Sequence, residues 1–576
     1  MRIERHAVGE AALSAAVADF APRMAGDVHR MQHDEFPGYG WEMIAESFLD
    51  YLGARSVDNP ALEGKDCKLA FESAAAAALG AFTLDWDPGR ADGVFIEYTG
   101  TGVSYGEGAE GRPATTHDWL GTFFLACVAG DTDRDAGLFL SAAAPHRGRA
   151  ERPDVALVQA LLAYVYGETG QREPAGSRGA VSAERRSEAI GVLAEELDPG
   201  TDMPHYRAAL GTLRALAAGD RSGFAEALAR QLVEHRERCA GFGDPRPRTL
   251  LPLDAIALAA MARWSNDWPL EVTSAYLPAA AVGGFAPPAP RVRAFGAGKR
   301  ADALAALAAG PLVVDRARQP EPEPGDLAYE EFLARSAAEF ADPGQSPALG
   351  ARRLIRVMSH QYRLFLNRLA LDPEGADEQG RAALRLGAEA GSAAVRLASA
   401  EPDTEVKVTV GGVTRALPAG ARVDPAQWVR AAALALISGE PELLAGCTRA
   451  DPALFTHGYV SATAAYGAAL HDHLRGVDPR PAVHRALTAA FQVRDTNFLA
   501  PPVVLLSQLV EGDREGFALA LADALEEHRE YYGVADNGAT SDSAVNLDVL
   551  ALVRHARRLG WEVPVRSPYL PPGLAG

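Results

Sequence analysis

Apolar residues recur every three or four positions through most of the chain, the spacing of one buried face on a helix. Phe224, Leu228, Leu232 and His235 form such a stripe, and Phe517, Leu521, Leu525 and His528 form it again. The stretch Gly241-Phe-Gly-Asp-Pro-Arg-Pro ends the first of these helices, and Asp536-Asn-Gly-Ala-Thr-Ser follows the second. A further apolar helix is predicted next, over Leu253–Trp264 or Leu547–Leu559. Asp254 or Asp548 lies in its first turn, where a carboxylate favours the exposed amides and the helix dipole. Short extended elements interrupt the helices at Gly93–Thr99 and Glu405–Leu417. Alternation around Val410-Gly-Gly-Val413 predicts a hairpin turn.

The pattern is carried twice. Residues 219–237 and 512–530 share 14 of 19 positions at an offset of 293. The same offset matches Trp268 to Trp561, Ser274 to Ser567, and Tyr276-Leu277-Pro278 to Tyr569-Leu570-Pro571. Upstream, Trp119–Gly130 lines up with Trp428–Gly439, Ser47–Gly53 with Gln361–Asn367, and Ala18–Phe20 with Ala338–Phe340. The order is kept while the offset changes, as expected if loops changed length and helices did not. The stretch 284–320 is rich in proline, glycine and alanine, runs toward Gln319-Pro-Glu-Pro-Glu-Pro-Gly325, and reads as a spacer. Within it Ala301–Ala309 predicts one short helix and Leu312–Val314 one short strand. The expected organisation is therefore a helical domain over 1–283, a linker over 284–320, and a related domain over 321–576. The expected class is mainly α: two homologous domains of antiparallel helix pairs, each with a small β-hairpin. No 34-residue repeat signature appears.

Composition narrows the function classes. A chain of 576 residues is too long for one core, and its apolar content of 48% leaves plenty to bury. The formal charge of −20 argues against a nucleic-acid partner. Cys67, Cys127, Cys239 and Cys447 form no C-x-x-C pair, so neither a disulfide framework nor a zinc signature is expected. The start lacks a signal-peptide pattern, and the apolar stretch near Ala74–Leu84 reads as too short to span a bilayer, so a cytoplasmic protein without a membrane partner is expected.

Candidate chemistry is sparse. Glu234-His-Arg-Glu237 and Glu527-His-Arg-Glu530 offer a partner patch, but a histidine ending an apolar stripe can simply donate to a nearby carbonyl. His471-Asp-His473 is the densest cluster of polar ligands, yet positions two apart on a helix point in different directions. The glycine-rich run Gly100–Gly111 lacks the lysine and hydroxyl of a P-loop. Ser141 and Ser461 have no G-x-S-x-G setting. Trp268 and Trp561, with Tyr276 and Tyr569, are expected to clamp the last segment of each half onto the helical body. No catalytic, cofactor-binding or metal-binding residue is assigned, and no cofactor or small-molecule substrate is expected.

Met1-Arg-Ile-Glu-Arg-His6, Glu46–Ser56 and Val272-Thr-Ser-Ala-Tyr-Leu-Pro278 together resemble the immunity 49 family, actinobacterial proteins assigned to polymorphic toxin systems. Residues 1–283 resemble it more closely than 321–576, where Leu354–Leu369 replaces the Phe36–Arg55 region. The resemblance implies two family-like domains in tandem and a non-enzymatic role: binding a cognate toxin and holding it inactive. A basic toxin would gain association rate from the opposite charge of this chain. Two rival readings are a helical scaffold for host proteins and a helical hydrolase built around His471 and His473.

Overall fold

The computed structural model describes residues 2–86, 93–105, 114–143, 151–169, 181–197, 203–285, 289–316, 319–320, 322, 329–333, 335, 340, 347–456, 461–493, 498–534 and 540–575. They divide into two compact units, Met1–Pro287 and Pro288–Gly576. The protein is predominantly helical, with small two-stranded sheets of parallel and antiparallel kind.

In the first unit the chain begins with strand β1 (Arg2–Ile3) and then folds into helices at Pro37–Asp58 and Lys65–Trp86 that pack on each other. Hairpin β2 (Val94–Ile96) and β3 (Thr101–Val103) lies against Lys65–Trp86, with Val94 opposite Val103. Thr116–Ala129 follows and is capped at both ends by its own sequence. The Thr115 hydroxyl accepts from the Asp118 amide while the Asp118 carboxylate accepts from the Thr115 amide. Gly130 takes the left-handed conformation that ends the helix, at φ 86°. The helix buries Trp119, Phe123 and Leu125, and packs on Leu253–Asn266. Helices Pro204–Ala217 and Arg221–Ala240 pack together, and strand β4 (Thr273–Ser274) returns to pair in parallel with β1.

The second unit repeats these local solutions. Asp424 and Gln427 form a reciprocal capping box at the start of Pro425–Ser438, and Gly439 ends it at φ 78°. Trp119 Nε1 donates to the Phe139 carbonyl at 3.1 Å, and Trp428 Nε1 donates to the Cys447 carbonyl at 3.0 Å. The predicted hairpin is present as β6 (Glu405–Val410) and β7 (Val413–Pro418), which pair antiparallel through Val410 and Val413. Gly411 and Gly412 both have positive φ, as a tight two-residue turn requires. Its core gathers Leu354, Phe365, Trp428, Leu434, Phe517 and Leu550.

The stretch expected as a spacer contributes structure to this second unit. Ala301–Ala309 is the predicted helix, and β5 (Leu312–Val313) pairs in parallel with β8 (Val565–Arg566). Val292, Ala303 and Val314 are buried in the same core. Proline and glycine in this stretch shape short turns between packed elements, which their composition alone does not reveal. Two other expected features, the Gln319–Gly325 run and the Ala338–Phe340 match, lie largely outside the described residues, and so do Gly106–Gly111 and most of Asp536–Ser541.

The expectation for Ala74–Leu84 also changes. The helix Lys65–Trp86 has 22 residues and is long and apolar enough to cross a membrane by length and composition. About two thirds of its apolar window is instead covered by protein, at 67% buried. Leu69, Phe71 and Phe82 are among the side chains it contributes to the core.

Close helix packing makes one glycine decisive. A Cβ on Gly53 would fall well inside contact distance of the Pro247 carbonyl, whereas one on Gly26 meets nothing within 4 Å. Backbone cannot rotate out of the way as a side chain can. Gly53→Ala is therefore expected to destabilise the first unit by about 2 kcal/mol, and Gly26→Ala to be neutral or slightly stabilising. Chemical denaturation of the two variants checks this, and equal midpoints would contradict the packing.

Candidate partner-binding site

The histidines of the repeated motif face inward. In the first unit His235 Nε2 lies 2.7 Å from the Thr249 carbonyl, and in the second His528 Nε2 lies 3.3 Å from the Ser543 carbonyl. Each satisfies the backbone of the short 3-10 turn that follows its helix. The conserved-looking tetrapeptide is thus a device for tying down a loop, and its charged members Glu234 and Glu237 are what reach solvent.

The chain ends close against the same corners. Arg5 donates to the Ser56 carbonyl, the Ser56 hydroxyl at 2.9 Å and the Ala275 carbonyl, and its guanidinium lies 5.8 Å from the Tyr276 ring centre. Arg316 donates to the Ala544 carbonyl at 2.8 Å and the Pro568 carbonyl at 2.7 Å, with Tyr569 at 5.0 Å. Burial lowers the Arg5 pKa to about 10, leaving it charged at neutral pH. Trp268 packs edge-on against Phe224, and Trp561 against Phe517. These aromatics act as clamps. The hollow beside Trp268, lined by Arg221, Phe224, Leu228 and Val272 among others, offers about 10 Å³, room for a single water and for no metabolite.

The other candidates also resolve into local structure. His471 is buried against Trp428 and Phe455, its Nε2 3.3 Å from the Thr448 carbonyl. His473 points elsewhere, with Nε2 3.2 Å from His555 Nε2. The pair therefore does not converge on one point. Ser141 donates to the Leu138 carbonyl within its own helix, and Ser461 caps the helix Ala462–Arg475. Gly100–Val103 forms the turn and second strand of a hairpin. Asp66 accepts from Tyr51 at 2.6 Å and Tyr98 at 2.9 Å, which pins that hairpin to two helices.

One surface was not anticipated from the sequence. The helix Pro37–Asp58 buries Trp41, Ile44, Ala45 and Phe48 on one side. Its opposite side starts with Phe36 at 68% exposure, then Tyr39 at 59% and Met43 at 45%. The spacing of three and four sets them along a single stripe. Exposed Asp34 and Glu35 and half-buried Glu42 and Glu46 surround it. Between Met31 and Ala54 the sequence has five carboxylates and no lysine or arginine, although Arg248 pairs with Glu46 at 2.7 Å and with Asp50 at 3.6 Å. Large apolar groups clustered on a surface within a charged rim mark interaction sites. The available signal was an apolar residue at every helical face between 36 and 48, which an amphipathic reading collapses into one core stripe.

A family model described as Immunity protein 49 matches residues 65–281 and again residues 372–574. The matches include Val272–Pro278 and Val565–Pro571 but not Met1–His6, Glu46–Ser56 or the Phe36 stripe. No curated protein and no solved structure matches the chain.

Burial of His528 sets a pH dependence. It is 1% exposed, and desolvation lowers its pKa to about 4 against an ordinary 6.5. Below pH 6.5 the unfolded chain takes up a proton that the folded histidine refuses. Its contribution is present above pH 6.5 and is lost as pH falls toward 4, by about 3 kcal/mol in total. His528→Gln should remove that part of the acid sensitivity. Urea unfolding at a series of pH values measures it, and an unchanged slope between wild type and variant would refute the assignment.

Proposed function

The chain belongs to the immunity protein 49 family, and from that premise we propose that it binds a cognate bacterial toxin domain stoichiometrically and neutralises it without catalysis. The observation that carries this reading is the family match in both units, over residues 65–281 and 372–574. On this reading the two units are homologous domains in tandem, and the partner is met inside the producing cell.

Binding would work by covering. Phe36, Tyr39 and Met43 supply desolvatable area at the centre of an interface, where aromatic anchors contribute most. The carboxylates around them, and the net charge of −20, favour a basic partner and speed its approach at low salt. The stripe lies outside the matched family core, so its residues are free to differ between relatives that meet different toxins. A scaffold for host proteins would use the same surface, and protection from a toxin separates the two readings.

Co-expression of a toxin domain encoded beside this chain with full-length protein, residues 1–287 or residues 288–576 tests the proposal by cell survival. Full-length protein and residues 1–287 are expected to protect. Survival no better than without the protein, together with no isolable complex, would sink the reading. Phe36→Ala with Tyr39→Ala should weaken the complex by about tenfold or more while leaving thermal unfolding unchanged, because both side chains are exposed. Unchanged affinity in calorimetry would place the contact elsewhere.

A further inference from the structure

The closing corner of the first unit holds a set of donor atoms outside the proposed partner surface. His235 and Cys239 stand four residues apart on Arg221–Ala240, so one helix face carries both. Cys239 Sγ is 3.5 Å from His235 Nε2. His6 arrives just after β1 and completes a group whose donor atoms all lie within 4.8 Å of one another. Ligands about a tetrahedral zinc are separated by about 3.3–3.8 Å, so a small inward movement closes the set. We propose that His6, His235 and Cys239 form a Zn²⁺ site that fastens the start of the chain to this helix.

The donor chemistry fits. Two imidazoles and a thiolate suit a borderline-soft d-block cation rather than calcium or magnesium. The outer partners of His6 are already in place. Its Nδ1 is 2.6 Å from the Tyr276 hydroxyl and its Nε2 is 2.8 Å from Thr249 Oγ1. Whichever nitrogen takes the ion, the other keeps a hydroxyl that holds the ring in orientation.

The rearrangement balances as follows. His235 Nε2 leaves the Thr249 carbonyl, and its proton passes by way of solvent to Nδ1. Arg238, which donates to Nδ1 at 3.1 Å, is exposed and turns outward. Cys239 loses its thiol proton to solvent, so one proton is released per ion bound. Water takes the fourth position.

The second unit supplies an internal contrast. It keeps the histidine as His528 and the arginine over tyrosine as Arg316 and Tyr569. At an offset of 293 the cysteine position is Tyr532, and counting along the sequence from the first strand of each unit compares His6 with an alanine, Ala317. Tyr532 lies tilted against His528 at 4.6 Å between ring centres. Neither of the other two donor types is kept at the compared positions.

The full-length protein, freed of metal with a chelator, is titrated with Co²⁺ and then with Zn²⁺. One equivalent of Co²⁺ is expected to bind with a thiolate charge-transfer band and intense visible bands of tetrahedral coordination. Cys239→Ser should abolish the charge-transfer band and weaken Zn²⁺ binding by about tenfold or more, whereas Cys447→Ser should change neither. His6→Ala should weaken binding similarly. X-ray absorption of the zinc-loaded wild type requires no variant to fold, and one sulfur with nitrogen neighbours is expected. A wild type that takes up no stoichiometric Co²⁺, a band that survives Cys239→Ser, or a shell without sulfur would each overturn the site.

Discussion

The return of each unit's last strand to its first holds the rest of the architecture together. Two-residue parallel pairs, β1 with β4 and β5 with β8, are too short to be stable by their own hydrogen bonds. They persist because an arginine beside the first strand crosses to carbonyls beside the last. Arg5 reaches Ala275, and Arg316 reaches Pro568. Charge-assisted hydrogen bonds of this kind are stronger than neutral ones, and the tyrosine ring beneath each guanidinium adds a cation–π contact. Once the ends are joined, the helices between them have a fixed space to fill.

That constraint explains why the inner helices are rich in small residues. Gly53 lies against Pro247, and Gly391 against Ala431 and Met358, at separations that leave no room for a larger side chain. Leucine and alanine make up most of the second core, and a helix lined with alanine approaches its partner closely enough for Trp428 to reach the Cys447 carbonyl. Close approach strengthens dispersion contacts and also removes tolerance for error. Among the polar side chains buried there, His471 bonds to the Thr448 carbonyl and Gln361 to the Leu333 carbonyl.

Much of this was legible from residue order. The stripe ending in His235 or His528, the turn at Gly411-Gly412 and the aromatic clamps follow from local rules of spacing and turn chemistry. The start of the second unit was not, because β5 sits in a stretch whose composition imitates a spacer. Only the partner strand at Val565–Arg566 and the Arg316 contacts identify it. The exposed stripe was hidden for a different reason. Phe36 and Tyr39 share a helix with Trp41 and Phe48, and hydrophobicity alone does not say which of two apolar faces meets solvent. The His6 cluster joins residues from opposite ends of a unit, which periodicity never compares.

The contrast between the corners separates what the frame needs from what a single unit has added. Arginine over tyrosine, histidine to carbonyl and tryptophan against phenylalanine occur in both units, and each satisfies a buried group that closure creates. Cys239 satisfies no such requirement, since the second unit closes with Tyr532 at the compared position, while His6 bonds the Tyr276 and Thr249 hydroxyls. The Phe36 stripe likewise contributes nothing to its own core, being 45–68% exposed across three residues. Exposing that much apolar surface costs solubility, and exposed Asp34 and Glu35 offset it without covering the rings. Exposed aromatics occur in the second unit as well, at Tyr329 and Phe332. In the first unit the stripe and the donor cluster lie on an exposed helix face and at a buried corner, so a change in one need not disturb the other.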